Sequence, residues 1–495
     1  MATGIPAATA LMPSPELKDE LRRRFLGLPL DTVPTPSVVL DLAKLERNCE
    51  RMLEATQRRG LRWRAHIKSH KTAELTRLQV GDTLSTSVLL VVSTLIEADN
   101  LLPLLREYQS RGRHVNVLFS FPLFPSAAPR LAAFATALGP GSLSVMIDHP
   151  AQIEAVEAIP RLHPGCPVPQ VYIKIDTSYG RAGVVPGTPA YTALLQALLQ
   201  AESRGTCVFH GLYSHAGHSY ATRDGPADAV KYLAAEVRGL AAAAREVRSA
   251  AAAAGGGRET ELVLSVGATP TAMLVQLPAQ GEGEDGGVMD EVDRLVEELK
   301  REGFVVEVHA GVYPTLDLQQ LATHARDPSL MTADDIAISV VAEVASVYPT
   351  RGPSSTPEVL INAGTLALGR EPVADRGSPS GRDYAGWGMV MPWGPVAAAP
   401  APGPAFPRVH GGWQVGRISQ EHGVLVWRGW PGRDGKQDQE CRADMPALRY
   451  GQRVRVWPNH SCIAGACFDW YLVVDSRRKG REDEVVDVWP RWRGW

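Results

Sequence analysis

The sequence predicts an α/β protein, a (β/α)8 TIM-like barrel followed by a C-terminal all-β domain. Three observations carry this. Through the first two thirds of the chain, short apolar runs alternate with longer amphipathic segments, as parallel strands buried beneath helices do. Eight such runs can be counted, which is the number that closes a barrel. After about Ala333 the long helical patterns stop, short β-type runs follow one another, and ten of the eleven tryptophans fall beyond Gly386.

Taken in order, residues 1–34 have no place in the barrel count. Met1 to Pro15 reads as a frayed lead-in, and the segment is expected to lend a helix or strand to the β domain. Thr35-Pro36-Ser37 opens a short apolar strand, Val38–Leu40. Asp41 then stands where it caps a helix whose Leu42, Leu45, Cys49, Met52 and Leu53 share one face, and Gly60 ends it. The first barrel strand leads to Lys68. The others are Leu84–Val92, Val115–Ser120, Leu143–Ile147, Val171–Asp176, Val208–Tyr213, Leu262–Val266 and Phe304–His309. Helical patterns at Ala151–Ala158, Tyr191–Ala201, Ala227–Ser249 and Met289–Arg301 lie between several of them. The barrel domain is thus 35–332. A doubly wound open sheet is the competing layout, but no Gly-rich dinucleotide turn favours it. Ala250–Gly257 and Ala279–Gly287 read as surface insertions, which loops absorb cheaply. In the β domain, 333–495, strands are expected at Ile336–Ser346, Glu358–Asn362, Gln414–Ile418, Gly423–Trp427, Arg453–Trp457 and Asp469–Val474. A Pro/Ala-rich loop is expected at Pro392–Pro407.

Composition excludes several functions. A formal charge of −3 over 495 residues gives no nucleic-acid or anionic-membrane surface. Apolar runs such as Val88–Val92 fall far short of the about 20 residues that span a bilayer. The six cysteines, at 49, 166, 207, 441, 462 and 467, are scattered without a disulfide framework. The reading is a cytoplasmic protein.

Two features carry chemistry. Lys68, in Trp63-Arg64-Ala65-His66-Ile67-Lys68-Ser69-His70-Lys71, ends a strand at the rim where barrels place their active sites. A lysine there can hold an aldehyde cofactor as a Schiff base, provided it is deprotonated, and the flanking basic cluster is expected to favour that. Lys71 is its rival. Far along the chain, Asn459-His460-Ser461-Cys462 sets an imidazole and a thiol two residues apart, on the same side if the segment is extended, as a zinc site requires. Between them, Gly267-Ala268-Thr269 follows a strand directly. Its backbone N–H groups and the Thr269 hydroxyl suit a phosphate, with Pro270 starting a short helix. Arg181 stands at the rim, for a bond near the cofactor or a structural tie.

The run His66-Ile67-Lys68-Ser69-His70-Lys71-Thr72 resembles the cofactor-lysine motif of the alanine-racemase-like (fold-type III) pyridoxal phosphate enzymes, in the branch of eukaryotic D-serine dehydratases and D-threonine aldolases. Six further segments match in order: Asp176–Gly183, Tyr213–Tyr220, Gly267–Thr271, Gly311–Tyr313, Gln420–Gly423 and His460–Cys462. The resemblance implies a barrel of the alanine racemase N-terminal type and a homodimer in which one subunit's β domain closes the other's barrel mouth. It implies that Lys68 carries pyridoxal 5'-phosphate, that Gly311 and Tyr313 make a second phosphate contact, and that His215 and Tyr220 lie against the ring. Tyr220 would face the pyridine nitrogen, a neutral partner that limits the ring as an electron sink. It also implies a metal, Zn2+, on His460 and Cys462, meeting the hydroxyl of a small D-hydroxyamino acid. The D-threonine aldolases of the family carry aspartate where this chain has Cys462, so the thiol favours zinc and dehydration. Where the family often has Asp-Ala-Gly this chain reads Asn362-Ala363-Gly364, and Arg370–Pro392 is unlike a compact hairpin. The expected activity is therefore D-serine dehydratase, a lyase giving pyruvate and ammonia by β-elimination. The alternatives are a D-threonine or D-3-hydroxyamino-acid aldolase and a non-catalytic pyridoxal phosphate carrier.

Overall fold

The computed structural model describes residues 15–253, 261–278, 287–326, 331–352, 355–373, 375, 384–393, 412–429 and 445–495. Most of the lead-in and of the loops expected at 250–257, 279–287 and 392–407 lies outside them. Contacts divide the chain into two compact units, Glu50–Gly311 with Trp492–Trp495, and Pro13–Cys49 with Val312–Arg491. Strands are numbered along the chain from β1 (Ser37–Asp41), which belongs to the second unit.

The first unit is a closed barrel of eight parallel strands. They are β2 (Arg62–His66), β3 (Val88–Val92), β4 (Val115–Pro122), β5 (Leu143–Ile147), β6 (Gln170–Lys174), β7 (Val208–Tyr213), β8 (Val263–Val266) and β9 (Val305–Ala310). All eight fall on the expected runs. β3 starts four residues late because Leu84 is exposed in a turn, not paired. Alternation along β2 sets Arg64 and His66 on one face, and that face points into the barrel. Arg64, 1 % exposed, reaches Glu307 Oε1 at 2.7 Å, Asn116 Oδ1 at 2.7 Å and the Tyr172 hydroxyl at 3.2 Å. A buried ion pair with its own hydrogen bonds therefore fills a layer that barrels more often fill with branched apolar side chains.

In the second unit, β10 (Ile338–Tyr348), β11 (Glu358–Ile361), β12 (Gly388–Val390), β13 (Trp413–Ile418), β14 (Gly423–Trp427), β15 (Arg453–Pro458), β16 (Trp470–Val474) and β17 (Asp487–Pro490) join β1 in one sheet. The order is β11-β14-β13-β12-β15-β10-β1-β16-β17, and β11 also pairs with β10, so six antiparallel strands close on themselves. Trp413, Val415, Trp427 and Val456 belong to the core of this ring. A bulge in β10 between Val344 and Ser346 bends that long strand.

The strand at Val38–Leu40, read from the sequence as the opening of the barrel domain, runs antiparallel to β10 and parallel to β16. Val39 packs in one cluster with Phe25, Leu472 and Val488, so the helix Pro15–Phe25 and β1 both serve the β unit. Asn362 is built into the same sheet. Its amide donates to Thr35 Oγ1 at 2.9 Å and its Oδ1 accepts from Glu343 N–H at 2.8 Å, a double role no carboxylate can fill. Among the described residues, no helix is long and apolar enough to cross a membrane, and Cys49, Cys166, Cys207, Cys462 and Cys467 form no disulfide.

Candidate active site

The turn after β2 separates the two candidate lysines. Lys71 sits at φ 51°, and its Nζ is 2.9 Å from Glu97 Oε1, a carboxylate with no exposed surface, and 3.3 Å from Thr94 Oγ1. Lys68 is half-buried, and among the described residues its Nζ makes no hydrogen bond or ion pair. Its turn is pinned on both sides. Its own N–H donates to His66 Nδ1 at 3.4 Å, and Ser69 Oγ donates to the Gly311 carbonyl at 2.8 Å. His70 is a structural ring. Thr72 N–H donates to its Nδ1, so Nε2 carries the proton and donates to Gln79 Oε1 at 2.9 Å.

Around Lys68 the rim is lined by imidazoles held neutral. Burial pushes His66 well below its usual range, and the positive charges of Lys68 and His309 add to this. His215 and His309 are also held well below it, by desolvation first and then by Lys174, with Lys68 among the further charges. The basic cluster expected to assist Lys68 by charge is thus mostly uncharged imidazole at neutral pH.

His215 follows β7 and donates from Nδ1 to the Gly267 carbonyl at 2.9 Å. His309 stacks on Tyr213, with centroids 4.1 Å apart and planes at 13°. Its Nδ1 meets Ser265 Oγ at 3.0 Å, while its buried Nε2 has no partner among the described residues. An unsatisfied donor or acceptor buried at the mouth of a barrel fits a bound polar ring. The corner at Gly267 fits a close approach. Its φ is +139°, and a Cβ there would stand 2.3 Å from the His309 carbonyl oxygen. Its N–H is bonded to Glu236 Oε1, and the N–H of Ala268 to Thr271 Oγ1. Thr269 of the expected phosphate turn is 3 % exposed and starts the short helix Thr269–Ala272.

Other expected residues are distributed as follows. Arg181 is exposed over the Tyr179 ring, 5.2 Å from its centroid, and its charge is felt at His215. Tyr220 is half-buried in the turn Gly217–Ala221, where its carbonyl accepts from Arg223. Gly311 closes the barrel unit, and Tyr313, 1 % exposed, belongs to the second unit. Sequence reasoning missed His309, Tyr213, Lys174 and Glu236. The first three end barrel strands on the same rim as Lys68, and that was their signal.

His460 and Cys462 lie in the second unit and do not share an extended segment. His460 is the extended N-cap of the helix Ser461–Ala466, and Cys462 is in its first turn. They remain near enough for Cys462 to act on His460. Burial disfavours a charged His460, yet its hydrogen bond to Cys462 and the charges of Cys462, Asp317 and Glu371 raise it to about 9. The turn is firmly held: Asp317 Oδ2 accepts from Ser461 N–H at 2.8 Å, and Thr315 Oγ1 bonds Ser461 Oγ at 3.0 Å. Asn459 is fixed by Tyr384, whose hydroxyl donates to its Oδ1 at 2.7 Å. Among the described residues His460 Nδ1 is buried without a partner, and no third His, Cys, Asp or Glu completes a metal cluster. The pair offers one N and one S donor.

Two family profiles match the chain, "Alanine racemase, N-terminal domain" over residues 40–280 and "Putative serine dehydratase domain" over residues 337–474. A D-serine dehydratase of Schizosaccharomyces pombe is 34% identical over 97% of this chain and 96% of its own length. A D-threo-3-hydroxyaspartate dehydratase of Delftia sp. is 28% identical over 94% of this chain and 98% of its own. A solved structure of the Delftia enzyme aligns with a TM-score of 0.65 and 26% identity, covering 94% of this chain and 100% of that one. A solved structure of a cysteine-to-alanine mutant of a D-threo-3-hydroxyaspartate dehydratase, in the metal-free form, aligns with a TM-score of 0.65 and 26% identity, covering 94% of this chain and 100% of that one.

Proposed function

The chain belongs to the alanine-racemase-like, fold-type III pyridoxal phosphate enzymes, as a lyase related to the D-serine dehydratases, and from that premise we propose that it is a zinc-dependent D-serine dehydratase. D-serine would lose water across its α–β bond, and the aminoacrylate released would take up water again on hydrolysis, giving pyruvate and ammonia. The observation that carries this reading is the placing of His460 and Cys462 in one clamped turn, the first as N-cap and the second in the first turn of the same short helix. An imidazole nitrogen and a thiol sulfur are a donor set that zinc accepts, and two protein donors leave positions for water and the substrate's own groups. Zinc held there supplies Lewis acidity at a β-hydroxyl, a poor leaving group.

The cofactor, when bound, supplies the electron sink for the charge left on the α-carbon. Lys68 holds its aldehyde and carries the α-proton at Nζ, for which the lack of any competing bond suits it. Neutral His215, with Nδ1–H spent on Gly267, and His309, with Nε2 unspent, line the ring without adding charge. Thr269 and Gly311, with Tyr313, are assigned to the phosphate, Tyr220 to the pyridine nitrogen and Arg181 to a bond at the rim. A cytoplasmic homodimer completes the proposal. The aldolase reading keeps the same cofactor residues and differs in which bond breaks.

The test is product identity. The holoenzyme with D-serine should release pyruvate and ammonia in equal amounts. Glycine and acetaldehyde from D-threonine at a much higher rate would transfer the assignment to the aldolase, and equal use of L-serine would remove its stereochemical part.

A further inference from the structure

Glu236 is a charged residue in the apolar stripe of the helix Pro226–Ala253, spaced with Ala229, Leu233, Leu240, Ala243 and Val247, and it has no exposed surface. A buried carboxylate is costly unless it is hydrogen-bonded and paired. One oxygen, Oε1, accepts three hydrogen bonds: Ser214 Oγ–H at 2.6 Å, Ala216 N–H at 3.1 Å and Gly267 N–H at 3.2 Å. These donors come from the two rim segments after β7 and β8. His215 lies between the first two, and its own Nδ1–H returns to the Gly267 carbonyl, so both backbone groups of Gly267 are held within one small network. The other oxygen, Oε2, is buried with no partner among the described residues. So is the ammonium of Lys174, 6 % exposed at the end of β6, which stands over the Tyr213 ring 4.6 Å from its centroid. Each feels the other's charge: burial drives Lys174 down to about 7 against the pull of Glu236, and burial drives Glu236 up against the pull of Lys174.

We infer that Glu236 is a positioning residue for the cofactor: through one oxygen it fixes His215 and the Gly267 corner together, and Lys174 serves as its counter-charge. The inference rests on the pyridoxal phosphate assignment and is independent of the choice of D-serine. Glu236 touches no reacting atom in this account. It sets the separation of the two segments between which a ring and its phosphate must fit, as preorganised sites require.

The experiment measures retention of pyridoxal phosphate by apoenzyme reloaded with the cofactor, by equilibrium dialysis and by the lysine-bound visible band, with no substrate present. Glu236→Ala strips all three acceptor bonds and should weaken retention by about tenfold or more. It should also speed amide exchange at Ala216 and Gly267. Glu236→Gln keeps an acceptor oxygen and should restore retention to within about threefold of the parent. Retention in Glu236→Ala within about twofold of the parent would overturn the inference, and so would a Gln variant as weak as Ala. If Glu236→Ala does not fold, Ser214→Ala removes a single donor and should weaken retention severalfold; unchanged retention there would overturn it equally. A parent that holds the cofactor but leaves D-serine untouched would refute the proposed substrate and leave this inference standing.

Discussion

Replacing Lys71 with methionine separates the two lysines by opposite signatures. Its Nζ neutralises Glu97, a carboxylate with no exposed surface, across 2.9 Å. Removing one partner of a buried pair costs about 3–5 kcal/mol. Glu97 keeps two donors, Ser93 N–H at 2.7 Å and the Thr94 hydroxyl at 2.9 Å, and Lys71 is itself 14 % exposed, so the expected loss is about 2–3 kcal/mol. Lys68 has no such bond to lose, and Lys68→Ala should cost under about 1 kcal/mol. The functional signatures run the other way. Lys71→Met should keep the visible band of lysine-bound cofactor, whereas Lys68→Ala should lose it, with activity falling about a hundredfold to ten-thousandfold or more. Urea unfolding midpoints and absorbance spectra of both variants measure this. A Lys71→Met protein that loses the band while Lys68→Ala keeps it would show that the wrong lysine was chosen.

Other outcomes follow from the same geometry. Arg64→Met leaves Glu307 buried without its cation and should destabilise the barrel by about 3–5 kcal/mol, while the double change with Glu307→Leu should recover most of that in thermal unfolding. His66, His215 and His309 are depressed from 6.5, so an unfolded chain binds protons that the folded one does not. Their contribution is fully present above about pH 6.5 and lost as pH falls, at up to about 4 kcal/mol per pH unit for the three together, which apoenzyme denaturation at pH 7 and pH 5.5 will reveal. Cys462→Asp should weaken zinc binding and lower elimination from D-serine without releasing the cofactor, as zinc titration and spectra will report.

How much of this could be read from the sequence depended on whether a residue's role was local. Most of the barrel strands read as near-continuous apolar runs, as strands buried on both faces do, and β2, which carries two arginines, was visible through the lysine that follows it. β1 has the same signature, and only its partners, Ser339 and Leu472, assign it to the other sheet. β12 and β17 escaped for local reasons: one is three residues long and opens on Gly388 at φ +150°, and the other ends in Trp-Pro. Lys68 was visible because it follows a strand within a basic run, although the strand itself stops at His66, and His460 with Cys462 because they are near neighbours. The convergence of Ser214, Gly267 and Glu236 is not local. It joins two loops to the middle of a helix, and its one trace in the sequence is a glutamate at an apolar spacing, which a search for catalytic motifs passes over.

The central claim is a metal on His460 and Cys462 that acts in the reaction and is not needed to hold the cofactor. It is tested by treating the holoenzyme with a chelator, then following pyruvate release from D-serine and the visible band in the same sample. Pyruvate release should stop, the band should persist, and added zinc should restore activity better than magnesium or calcium. Pyruvate release at full rate from protein shown to be metal-free would contradict it.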